Sequence, residues 1–153
     1  MLARAEGVTG VAGIADKYRA YYNHASGFGT CSYHSRYALY DGVKTGSENG
    51  QSVAPLMGHM RGYDGGAGDF QMGPLTFMLN YPDHCVLYRF VPRSLTETDM
   101  TLVWYVNGDA EEGVDYDKEK LVWLWHQTSL EDEHIILRNS EGCLLYTSDA
   151  ADE

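Results

Sequence analysis

Asp109–Gly142 reads DAEEGVDYDKEKLVWLWHQTSLEDEHIILRNSEG, and its periodicity decides how the rest of the chain is arranged. Leu121, Leu124, Trp125 and Thr128 fall at the spacing of one helix face. Asp115 or Asp117 can cap the start of that helix, and Glu119 sits in its first turn, where the helix dipole favours negative charge. A second helix is expected from Thr128 or Ser129, because Thr128-x-x-Glu131 fits a capping box. Asp132, Ile135, Ile136 and Asn139 share one face of it. Read from the residues alone, the opening pair Glu131-Asp132 is an ordinary helix N-terminal acid pair, each worth roughly 0.3–1 kcal/mol.

Upstream of Asp109 the period changes from helical to alternating. Ser32–Tyr40, Leu75–Tyr81, His84–Val91 and Thr98–Val106 read as strands rich in aromatic and β-branched residues. Met100, Leu102, Trp104 and Val106 fall on one face of the last; Cys85, Leu87, Arg89 and Val91 alternate with Val86, Tyr88 and Phe90. Asp41-Gly42, Glu48-Asn49-Gly50 and Pro82-Asp83 mark turns. Short connections imply antiparallel neighbours, and strands first with helices last imply an α+β layer of sheet and helix. Pro55–Gly68 is rich in glycine but leads into strands, so it reads as an irregular crossing near a cavity and not as a phosphate cradle. Ala15–Asn23 fits a short helix in an otherwise ill-defined segment 1–31.

Composition narrows the function. The net charge of −11 and the lack of a Lys/Arg cluster argue against nucleic acid or an anionic membrane as partner. Twelve Tyr and three Trp belong to a folded domain. Three cysteines without regular spacing do not make a disulfide framework, and no apolar run approaches the ~20 residues that span a bilayer, so the expected location is cytoplasmic. Cys143–Glu153, CLLYTSDAADE, resembles a translated sequencing adapter, which makes 143–153 a non-native tail by expectation. His84 reads as structural, the tryptophans Trp104, Trp123 and Trp125 as core aromatics, His134 as solvated or capping, and Asp109–Asp117 as a solvated loop and helix start.

Four phrases taken in order carry a family resemblance: Tyr37–Gly58, Tyr81–Asp117, Leu121–Trp125 and Glu131–Asn139. Together they resemble the C-terminal part of the catalytic domain of Rieske non-heme iron oxygenase large subunits, close to ring-hydroxylating and quaternary-ammonium oxygenases. The resemblance implies a helix-grip fold over 32–142, incomplete here: a curved antiparallel sheet on C-terminal helices with a cavity between. It implies Fe(II) held by two His and one carboxylate, with positions open for O2. It makes Asp132 the carboxylate ligand and Asn139 a supporting neighbour. A Rieske 2Fe-2S cluster in an N-terminal domain supplies electrons to such enzymes. The implied partners are a reductase or ferredoxin, a small organic substrate with O2, and two further copies in a homotrimer.

The departures are as informative as the match. The family's iron-binding histidines stand five residues apart, and no pair among His24, His34, His59, His84, His126 and His134 does so. Cys31-Ser-Tyr-His34 fits half of a Rieske site, but without a C-x-H partner upstream it reads as coincidence. The expectation is therefore a piece of an oxygenase that is inactive as this chain. A metal-free helix-grip binding module or a gene remnant is the alternative.

Overall fold

The computed structural model describes residues 33–149, so the Ala15–Asn23 helix, His24 and Cys31 lie outside the described residues. Five strands form one antiparallel meander in chain order: β1 (Tyr33–Ala38), β2 (Gly66–Gln71), β3 (Thr76–Asn80), β4 (Cys85–Pro92) and β5 (Thr98–Tyr105). A helix, α1 (Lys118–Asp149), follows them. The architecture is α+β, a sheet with a C-terminal helix, in keeping with a helix-grip-like domain.

Four strands stand where the alternating runs put them, within two residues at each end. β2 does not: its sequence, GAGDFQ, falls in and just after the stretch read as a glycine-rich crossing. Glycine weakens a strand's own preference. Pairing on both flanks compensates, Ala38↔Gly66 through Tyr33↔Gln71 on one side and Gly68↔Asn80 through Gln71↔Phe77 on the other. The remainder, through Gly65, is irregular as expected.

Residues directly opposed across antiparallel strands point to the same face. One face therefore carries Leu79, Val86 and Trp104, and beside them Phe77, Tyr88 and Leu102, then Phe90 with Met100. Val86 and Tyr88 are buried on this face, and the core cluster of Leu39, Ala67 and Tyr81 continues it toward β1, with Tyr37, Val43, Leu79 and Trp125 packed around. The face alternation expected for β4 and β5 holds.

α1 begins as its sequence dictates. Asp117 Oδ1 accepts from the amides of Glu119 at 2.9 Å and Lys120 at 3.4 Å, which caps the first turn. The two helices expected to meet at Thr128–Leu130 are instead one. The Ser129 hydroxyl does not cap a new start; it donates back to the Trp125 carbonyl at 2.7 Å, a bond that a serine inside a helix can make. Glu131 accepts from Gln127 Nε2 one turn earlier at 3.4 Å rather than closing a capping box.

The β1–β2 connection packs tightly on the core. Lys44 N–H donates to the Gly50 carbonyl at 2.7 Å, closing the turn around Glu48-Asn49-Gly50. A Cβ at Gly46 would lie 2.5–2.8 Å from the ring of Tyr81. That ring is buried and stacked on His84 with centroids 4.9 Å apart, so it has little room to yield. Gly46→Ala is expected to lower the unfolding free energy by roughly 1–3 kcal/mol as overpacking. Urea unfolding of the two proteins checks this; equal midpoints and slopes refute it.

Candidate functional site

α1 touches the sheet along one stripe. Leu121 is buried, Trp125 reaches Tyr81 with ring centroids 6.3 Å apart, and it meets Tyr88 edge-on at 6.4 Å. Ser129 is buried one turn on. Asp132 and then Ile136 and Asn139 continue the same stripe by helical spacing. Tyr88 registers the consequence: burial pushes its phenol up, a Ser129 hydrogen bond opposes this, and the Asp132 carboxylate adds to the rise. By spacing, Asp132 is in phase with Leu121, Trp125 and Ser129, one turn beyond the last buried position.

Beneath that turn the sheet presents aromatic surface. Phe77 stacks on Tyr88 with centroids 4.6 Å apart and on Phe90 at 5.8 Å. Leu102 and Met100 flank them in register on β5. Asp132 and Asn139 are themselves exposed, as is α1 from Leu130 to Glu141, including Ile135, Ile136 and Leu137 at 56–64%. α1 is therefore solvent-exposed over Leu130–Glu141, Asp132 included.

The described residues do not complete an iron site. Among them there is no group of three or more His, Cys, Asp or Glu that could hold a metal ion. Asp132 is one carboxylate without a cluster of ligands beside it among the described residues. His59, His126 and His134 are exposed.

A second polar cluster was not legible in the sequence. Asp83 is fully buried, although Pro82-Asp83 reads as an ordinary turn. Its Oδ1 accepts from Thr45 Oγ1 at 2.5 Å and meets His84 Nδ1 at 2.9 Å; its Oδ2 accepts from the Val53 amide at 3.0 Å. Thr45 and His84 are likewise fully buried. The partners lie 30 and 38 residues upstream of Asp83, so no local period could announce them. The cluster pins the long β1–β2 connection to the β3–β4 turn, and His84 then supports Tyr81 by stacking. His84 is held through Nδ1, while its Nε2 has no hydrogen-bond partner among the described residues. A cleft of about 830 Å³ opens on the far side of Val53, between Ser52–Pro55 and Glu112–Lys120. Glu112, Asp115, Asp117, Lys118 and Lys120 make its walls too charged for an apolar substrate.

Trp125 is the side chain that joins the two regions, because it touches both Tyr81 and Tyr88. Trp125→Ala is expected to cost about 3 kcal/mol, at the low end for tryptophan because its burial is partial. Trp123, expected as a core aromatic, is instead exposed at 40%, because its helical phase turns it away from the Leu121–Trp125 stripe; it serves as control, with Trp123→Ala expected within about 0.5 kcal/mol of the parent. Equal losses for the two variants in chemical unfolding would show that α1 is not anchored through Trp125.

This geometry can be set beside known proteins. The sequence profile of the ring hydroxylating alpha subunit family, catalytic domain, matches residues 9–149. The chain belongs to that family. It is similar to the glycine betaine monooxygenase oxygenase subunit of Pseudomonas aeruginosa strain UCBPP-PA14, with 34% identity over 122 residues. That alignment covers 79% of this chain and 28% of the relative. The subunit of the same name from Chromohalobacter salexigens is 30% identical over 116 residues, covering 75% of this chain and 26% of its own length. The chain spans little more than a quarter of the length of these relatives. No helix among its described residues is long and apolar enough to cross a membrane.

Proposed function

We propose that the chain is the sheet and C-terminal helix of the catalytic domain of a Rieske-type oxygenase subunit, in which it supplies one carboxylate, Asp132, to a mononuclear Fe(II). The observation that carries this reading is the phase of α1. The acid that the family resemblance selects, though exposed, shares the helical phase of the residues that reach the sheet, and its charge is felt at Tyr88, part of an aromatic floor with Phe77 and Phe90. Two histidines outside the described residues complete the ligand set, and a Rieske 2Fe-2S cluster elsewhere in the longer protein feeds electrons from a reductase or ferredoxin. When bound, the iron supplies activation of O2. This chain's own residues wall the substrate cavity: Phe77, Tyr88 and Phe90 from the sheet, and Asn139 behind Asp132 along α1.

The substrate class follows from the relatives and from that floor. Glycine betaine, named in the relatives, is a quaternary ammonium carboxylate, and aromatic faces attract such cations by roughly 0.5–2 kcal/mol each. A small betaine-like substrate that is oxidised at an N-methyl group suits these aromatic faces. A cytoplasmic homotrimer is the assembly proposed for the longer protein.

The test is to sequence the DNA on both sides of this reading frame and express the longer protein. In-frame C-x-H and C-x-x-H pairs, then two histidines five residues apart, all upstream of Met1, are expected. So are bound iron and betaine-dependent oxygen uptake. The chain alone is expected to show no substrate-dependent uptake with Fe(II) and a reductase; robust turnover by it would refute the split of ligands proposed here. A longer frame with none of these motifs would leave Asp132 a helix acid and favour a metal-free binding module or a gene remnant.

A further inference from the structure

We draw no further inference here: the strongest candidate, the buried Thr45–Asp83–His84 cluster at the β3–β4 turn, leaves His84 Nε2 without a hydrogen-bond partner among the described residues, but that nitrogen is packed with less than 1 Å² accessible, so no ligand or water fits beside it and the cluster carries only the loop-pinning role already described.

Discussion

Asp83→Ala is expected to destabilise the chain by roughly 3–5 kcal/mol, the range for breaking a buried ionic cluster by removing one partner. The loss is large because the carboxylate is shared. Without it the Val53 amide loses an acceptor at a half-buried position, and the Thr45 hydroxyl and His84 Nδ1 lose theirs where water does not reach. Each orphaned group costs about 1–3 kcal/mol before any relaxation. Asp83→Asn is expected to cost less. It keeps the shape and one carbonyl acceptor, but it places an amide donor against groups that themselves donate.

The same cluster sets a pH dependence whose sign can be worked out. Burial alone would raise the Asp83 pKa; the hydrogen bond and charge of His84, with Thr45 and Val53, outweigh it and hold the carboxyl below its ordinary value. A carboxyl depressed in the folded state contributes stability above its unfolded pKa. That contribution is lost as pH falls through the folded value. Unfolding free energy is therefore expected to drop below about pH 4 in the parent, and to drop less steeply in Asp83→Asn. Denaturant titrations across that range decide it. Parallel pH profiles would mean that Asp83 is not held ionised by its donors.

How much of this was open to reading depends on whether the cause is local. β4 and β5 were legible because both faces repeat every two residues, and the facing sets Val86–Tyr88–Phe90 and Met100–Leu102–Trp104 are indeed opposed. The start of α1 was legible because Asp117 caps residues two and three positions away. β2 was not. Gly66 and Gly68 argue against a strand, and only neighbours on both sides, one of them nearly 30 residues upstream, hold them in one. The supposed break at Thr128 failed for a related reason. A serine is an equally good cap or back-bonder, and the burial of Ser129 against the sheet selects the second. Asp83 is the extreme case, since a Pro-Asp pair gives the same local signal whether it faces water or a threonine 38 residues away. Asp132 lies between these extremes: its helical phase is local, but the role proposed for it rests on family likeness.

In the longer protein, Asp132→Asn is expected to lower turnover by more than about 100-fold and to reduce bound iron in proportion. Changing a group that merely orients a metal ligand already costs about 10–100-fold, so changing the carboxylate proposed as the ligand is expected to cost more. An amide keeps the size of the side chain but loses the negative charge that offsets Fe(II). Glu131 provides the contrast. One residue along an α-helix is a rotation of about 100°, so Glu131 leaves the sheet-facing stripe, and its carboxylate accepts from Gln127 on the exposed side of α1. Glu131→Gln should keep iron and turnover within about twofold of the parent, as expected of a surface change. Unfolding separates the ligand role from a structural one. Asp132 is exposed and has no packing to lose, so Asp132→Asn should leave the midpoint of this isolated chain within about 0.5 kcal/mol of the parent. An iron-depleted variant that remains as stable as the parent supports the ligand role. Full iron content and turnover in Asp132→Asn would return this acid to a helix-dipole role and pass the carboxylate position to another residue.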